Sequence, residues 1–281
     1  MTGQPVRVSR SWLALREPAD AAARARDLAE RVAFDPPATG RWMIHDLGGG
    51  TGSMGRWLAP LLPGPQHWVV HDRDADLLEL AAAQPPVPAA DGATITVETR
   101  RSDIIALDRS DLAGTTLITA SALLDMLTAR ELTDLVAVCE SARCPVLLAL
   151  SVVGRVELAP ADPLDNRVLA AFNAHQRRDT ERGPLLGPDA AAFAADAFGG
   201  HGAKVILRES PWQLGAPERE LATQWFAGWV AAACEQDPAL AAHAEGYARR
   251  RMAQLAAGEL AVTVHHADLL VLPRPAAAPA G

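Results

Sequence analysis

The segment Met43-Ile44-His45-Asp46-Leu47-Gly48-Gly49-Gly50-Thr51-Gly52 decides the fold class of this 281-residue chain. A short apolar run ends in an aspartate, then breaks into four glycines within five residues. Glycine has no Cβ, so it turns tightly and lets backbone lie flush against a ligand. Ser53-Met54-Gly55-Arg56-Trp57-Leu58 then starts a helix, whose N-terminal amides and dipole face whatever the loop holds. Strand, acid, glycine loop and helix in that order predict the first crossover of a parallel α/β sheet. A glycine-rich turn without a ligand is the bland alternative.

Two ligand classes use such a loop. In G-x-G-x-x-G the bare backbone approaches a dinucleotide pyrophosphate, and Gly50, Gly52 and Gly55 meet that spacing. A carboxylate at the mouth of the loop repels a pyrophosphate, whereas a ligand with a cationic end suits Asp46. Here the chain resembles the class I S-adenosylmethionine-dependent methyltransferases, whose first motif reads acid-x-G-x-G-x-G. Asp46, Gly48, Gly50 and Gly52 stand at its four defining positions. The resemblance implies S-adenosyl-L-methionine as cofactor.

The next acids fall in order. His67-Trp68-Val69-Val70-His71-Asp72 reads as a second buried strand, and Asp72 lies about 20 residues past the glycines, where an acid binds ribose hydroxyls. Its carboxylate can accept two charge-assisted bonds from a vicinal diol. His71 reads as a packed or surface histidine. After a third strand at residues 93–99, Asp103 and Ile104 match the family's adenine-contacting acid and its apolar neighbour; alone, such an Asp is a turn residue or cap. The fourth strand, residues 115–122, brings Thr119, Ser121 and the following Asp125 towards the site. Thr119 is expected beside the cofactor and Asp125 beside the acceptor, although Asp125 can equally lie on an outer face. No acidic or Asn-Pro-Pro-type amine-binding motif is present there, so the accepting atom stays open.

Further strands are expected at residues 145–153, 203–208 and 260–272, the last with a split or bend near His265 and His266. Strand alternation lets only one of those histidines face inward. The family resemblance implies a Rossmann-like, doubly wound, mostly parallel seven-stranded sheet. Its late strand inserts antiparallel beside the fifth, with helical additions over the active-site end. Residues 1–272 are expected to form one domain. Within it, 1–40 form a helical cap with a helix near residues 18–33, 41–155 the cofactor-binding half, 156–202 a substrate-side insertion, and 203–272 the late strands with a helical insertion at 216–258. Residues 273–281 read as a disordered tail.

The segment Phe172-Asn173-Ala174-His175-Gln176-Arg177 is dense in donors and acceptors. His175 is the expected proton acceptor, and Asn173 and Arg177 the expected substrate contacts. A surface histidine on an amphipathic helix fits the sequence as well. The aromatic stripe Trp225-Phe226-Trp229 reads mostly as core.

Composition narrows the function classes. Hydrophobic residues at 49% and charged residues at 21% describe a globular chain. A formal net charge of −8 argues against a nucleic-acid substrate, and the clusters at Arg100-Arg101, Arg177-Arg178 and Arg249-Arg250-Arg251 read as solvated faces. Cys139, Cys144 and Cys234 are too few and irregular for a disulfide framework or zinc site, and read as reduced, buried thiols. No apolar run is long enough to cross a bilayer, and no metal-ligand spacing appears. The expectation is a cytoplasmic enzyme that transfers a methyl group, without a metal, to oxygen or nitrogen of a small molecule. Its oligomeric state is left open. A non-catalytic S-adenosylmethionine-binding regulator and an NAD-linked oxidoreductase are the alternatives.

Overall fold

In the computed structural model, which describes residues 8–274, the glycine loop closes the first of five parallel strands. These are β1 (Trp42–Leu47), β2 (Gln66–Asp72), β3 (Ile95–Arg101), β4 (Leu117–Ser121) and β5 (Val146–Ala159). A two-residue hairpin, β6 (Asp179–Thr180) with β7 (Gly183–Pro184), stands apart. The sheet continues through β8 (Lys204–Glu209), β9 (Trp212–Leu214) and β10 (Ala261–Leu272). Its order is β3-β2-β1-β4-β5-β10-β8, with β10 antiparallel to both neighbours. This is a Rossmann-like, mostly parallel fold with an antiparallel late strand.

The sheet has eight strands rather than the expected seven. Pro211, which lacks an amide hydrogen, falls between β8 and the short β9, and β9 resumes pairing with β10. β5 runs six residues beyond its expected end at residue 153. Two irregularities bend it against β10: Val264 and His266 pair with Val156 and Val152, and Ala267 and Leu269 with Ser151 and Leu148. The extra residues lie on β5, where Gly154 and Leu150 take left-handed backbone angles.

The chain turns back at β1: β2 and β3 lie on one side, and β4 and β5 on the other. The crevice between the carboxyl ends of β1 and β4 is the topological switch point, where open α/β sheets bind ligands.

Helices cover both faces. The expected N-terminal helix is two, α1 (Arg10–Ala23) and α2 (Arg26–Phe34), and Pro18 lies inside α1 rather than at its start. The break comes at Arg24 and Ala25, whose backbone is extended. Next come α3 (Ser53–Leu58) and α4 (Ala75–Ala83), then α5 (Ala129–Ala142), opened by a Thr128/Glu131 capping box. One core joins α5 and α7 (Ala190–Gly200) to the sheet, and a second joins α2 and α3 to its other face.

A third core lies beyond the sheet tips, among α6 (Asp165–Gln176), α8 (Arg219–Gln236), α9 (Ala241–Ala257) and the outer halves of β5 and β10. Its polar knot is Arg251, which is 1% exposed and forks onto Asp165 at 2.7 and 2.6 Å while Tyr247 Oη donates to the same carboxylate at 2.7 Å. Arg251 therefore leaves the solvated cluster expected for residues 249–251. Among the cysteines, Cys139 and Cys144 are buried and Cys234 is half-buried. Of the expected tail, residues 275–281 lie outside the described residues. No helix among the described residues is long and apolar enough to cross a membrane.

Candidate active site

The glycine loop is built around Asp46. This carboxylate is fully buried near the end of β1, where Oδ1 accepts the hydroxyl of Thr119, in the middle of β4, at 2.7 Å. Its other oxygen, Oδ2, has no hydrogen-bond partner among the described residues. A Cβ on Gly49 would collide with that oxygen and approach Val70 Cγ1 to 2.7 Å, so only glycine fits above it. Asp46 thus lies beneath the loop and not at its mouth. Burial pushes its carboxyl up to about 7, opposed by the Thr119 bond and the charge of Arg24.

Gly48, Gly50 and Gly52 all have positive φ, as a loop folding back over a strand end requires. The Gly50 amide donates to Asp72 Oδ2 at 3.0 Å, and the Asp74 amide to Asp72 Oδ1 at 2.9 Å. The acid at the tip of β2 is thereby aimed at the loop, and each oxygen keeps a lone pair for a diol. Asp103 is exposed and accepts the Ile105 amide at 3.3 Å, while Ile104 is buried in the core under α5.

Arg24 is the residue that the sequence did not disclose. The break between α1 and α2 places it 3% exposed at the switch point, with Nη2 donating to Ser53 Oγ at 3.3 Å and Ser121 Oγ at 3.1 Å. Nε and Nη1 are buried without partners among the described residues. Burial pulls its guanidinium below its ordinary value, opposed by Asp20, Asp268 and Asp46. A carboxylate oxygen and two guanidinium donors without hydrogen-bond partners are thus buried close enough for their charges to interact, with the Arg24 guanidinium 5.5 Å from the Trp57 ring centroid. That donor set fits a zwitterionic amino-acid group.

Helix α1 lies across the loop. Leu13 Cδ1 comes within 3.8 Å of the position a Gly50 Cβ would take, and Glu17 holds Arg56 of α3 through bonds of 2.6 and 2.7 Å. From the same helix Trp12 and Arg16 reach a cavity of about 160 Å³ over the ends of β4 and β5.

Of the expected acceptor-site residues, Asp125 and Asn173 line this cavity, joined by Phe172 and Gln176. His175 and Arg177 do not line it. Helical residues step by about 100°, so a face bearing Phe172, Asn173 and Gln176 turns His175 and Arg177 to its flanks. His175 faces Glu235 at 3.9 Å, and Arg177 is committed to Asp189 at 2.5 and 2.8 Å. His265 and His266 both line the cavity, against the expectation of one.

No family model and no curated protein matches the sequence. Among solved structures, the chain is similar to a cyclopropane synthase from Mycobacterium tuberculosis, at 14% identity and TM-score 0.45 over 87% of this chain and 82% of that one. A SAM-dependent methyltransferase from Geobacter sulfurreducens, in complex with S-adenosyl-L-homocysteine, aligns at 13% identity and TM-score 0.44, over 96% and 100%. Geranyl diphosphate C-methyltransferase from Streptomyces coelicolor aligns at 11% and 0.43, over 89% and 81%. The fold assignment rests on the strand order and the antiparallel β10, not on these scores.

Proposed function

We propose that this protein is an S-adenosylmethionine-dependent methyltransferase acting on oxygen or nitrogen of a small molecule. The observation that carries the reading is that Asp46 Oδ2 and two Arg24 donors are all buried without hydrogen-bond partners near the switch point, the charge of each acting on the other. Buried polar atoms are almost always satisfied, so a set of opposite sign in a ligand crevice calls for a ligand that carries both charges.

In this reading Arg24 takes the carboxylate of the amino-acid end, and Asp46 supports the ammonium and sulfonium side from beneath the loop. Gly48, Gly50 and Gly52 make room for the nucleoside, Asp72 accepts the ribose hydroxyls, and Asp103 with Ile104 meets adenine. Thr119 fixes the Asp46 carboxylate. When bound, the cofactor supplies a methyl group already activated on sulfur, so the protein mainly orients the acceptor in line behind it.

Asp125, His265 and His266 are the titratable groups that line the cavity, together with Arg16 and Arg155. Burial holds His266 down to about 3, so at neutral pH its ring is uncharged and able to accept a hydrogen bond. The reading assigns no metal to the reaction and places the enzyme in the cytoplasm.

Calorimetric titration of the full chain with S-adenosylhomocysteine and, separately, NADH tests this. Heat with the first and none with the second is expected. Silence with S-adenosylhomocysteine, or heat with NADH alone, overturns the proposal.

A further inference from the structure

The cavity over the ends of β4 and β5 has aromatic walls drawn from four distant segments. Trp12 comes from α1, Phe172 from α6, Trp212 from β9 and Trp225 from α8. Trp12 meets Trp212 edge-on at 6.4 Å, and Trp225 is backed by Trp229, stacked at 5.3 Å. Aromatic faces and edges favour a planar ring over a saturated one of equal size. A cavity of about 150 Å³ accommodates a benzene ring, and this one, which opens to solvent, has a volume of about 160 Å³.

Three cavity-lining residues carry buried polar atoms with no partner among the described residues: Asn173 Oδ1, Gln176 Oε1 and His266 Nδ1. The Asn173 amide is oriented by Nδ2, which donates to the Gly154 carbonyl at 2.8 Å and leaves Oδ1 as an acceptor. Buried acceptors without donors are costly, so a ligand that supplies O–H or N–H groups is favoured over one that does not.

Charge sets the last limit. Arg16 is committed to Asp20 by bonds of 2.9 and 3.1 Å and lies over the Trp212 ring at 5.0 Å. Arg155 is paired with Glu157. An anion therefore finds both guanidinium groups engaged and the Asp125 carboxyl on the lining, and a cation meets Arg16 among the rings while burial pushes the Asp125 carboxyl towards its neutral form.

We infer that this cavity takes a neutral, single-ring aromatic or heteroaromatic acceptor that donates hydrogen bonds to Asn173, Gln176 and His266. The inference rests on the methyltransferase reading, in which the ring's oxygen or nitrogen bonds to the methyl carbon as the sulfur–methyl bond breaks, S-adenosylhomocysteine leaves, and the O–H or N–H proton passes to solvent.

Fluorine NMR on the full chain, with and without saturating S-adenosylhomocysteine, tests it with 4-fluorophenol as probe. The phenol is expected to bind about tenfold more tightly than 4-fluoroanisole, the ratio for one unmet acceptor. Cyclohexanol and benzyltrimethylammonium are expected not to displace it. Gln176→Leu keeps much of the side-chain volume and should narrow the phenol-to-anisole ratio without changing S-adenosylhomocysteine affinity. Equal binding of the two fluoroarenes, or displacement by either competitor, overturns the inference. Ring selectivity without S-adenosylhomocysteine binding overturns the acceptor assignment together with the methyltransferase reading. S-adenosylhomocysteine binding without ring selectivity overturns this inference alone.

Discussion

The backbone amide of Leu150 donates to Asp268 Oδ1 at 2.7 Å, and Leu150 holds a left-handed φ of 57° in doing so. A side chain with a Cβ resists that conformation by roughly 1–2 kcal/mol. Asp268, 1% exposed on β10, offsets the cost and also accepts the Ser210 hydroxyl and, at 2.8 Å, the Ala25 amide. One carboxylate thus fixes the β5 bulge, the start of α2 and the turn into β9. Asp268→Ala leaves these donors unmet in the interior and should cost about 2–4 kcal/mol. Denaturant unfolding measures this, and an unchanged midpoint rules it out.

Arg24 gives a sharper test of the cofactor site. Arg24→Leu removes the two free donors and should weaken S-adenosylhomocysteine binding by about 1.5–3 kcal/mol, the range for bonds to a charged group. Adenosine, which has no carboxylate, should bind the variant and the parent alike. A variant that still prefers S-adenosylhomocysteine to adenosine as strongly as the parent would falsify the assignment.

Asp46 links binding to protons. With its carboxyl near 7, a substantial fraction of molecules carry the proton at neutral pH. A cationic ligand beside it favours the ionised form and lowers that value. Binding of S-adenosylmethionine should therefore release protons and tighten as pH rises from about 6 to 8. Calorimetry in two buffers of different ionisation enthalpy counts the protons, and Asp46→Asn should abolish the release.

His45 Nδ1 and His71 Nε2 lie 3.0 Å apart in the interior, and His71 Nδ1 is 2.9 Å from Ser102 Oγ. Burial holds both rings down to about 4. In the unfolded chain they titrate near 6.5, so between about 4 and 6.5 the unfolded state binds more protons. Stability should be complete above that window and fall by a few kcal/mol as pH drops through it. Unfolding midpoints between pH 4 and 7.5 report the slope, and His71→Gln should flatten it. A midpoint independent of pH in the parent contradicts the account.

Gly49→Ala places a methyl group against Asp46 Oδ2 and Val70, and both are packed backing of the loop rather than flexible ends. Such overpacking costs about 1–3 kcal/mol and lifts the loop. The expected result is a lower melting temperature together with weakened S-adenosylhomocysteine binding. Loss of neither shows that the loop relaxes freely.

The strands and the first two acids were legible because they are local: an apolar run, an acid at its tip and glycines lie within a few residues. Arg24 was not. In sequence it is one arginine among several on an Ala-rich helix, and the break beside it is held by Asp268, which captures the Ala25 amide from 243 residues away. The same limit hid the aromatic cavity, whose walls meet only once β9 and α8 are placed. His175 was named for its chemistry beside an equal surface reading, but the direction of a helical side chain is set by which face packs, and the face turned to this cavity carries Phe172, Asn173 and Gln176. His265 and His266 could be picked out from sequence, but not that both line the cavity.

Helix α1 touches the glycine loop through Leu13 and Glu17 and the aromatic cavity through Trp12 and Arg16, on adjacent strips of one surface. A single rigid rod therefore bears on two compartments. If either occupant displaces it, the free energy so spent changes the other's affinity by the same factor, since such coupling is reciprocal. Saturation by one compound would then set the order in which the two enter, and identical affinities measured in both orders of addition would show the rod to be a passive wall.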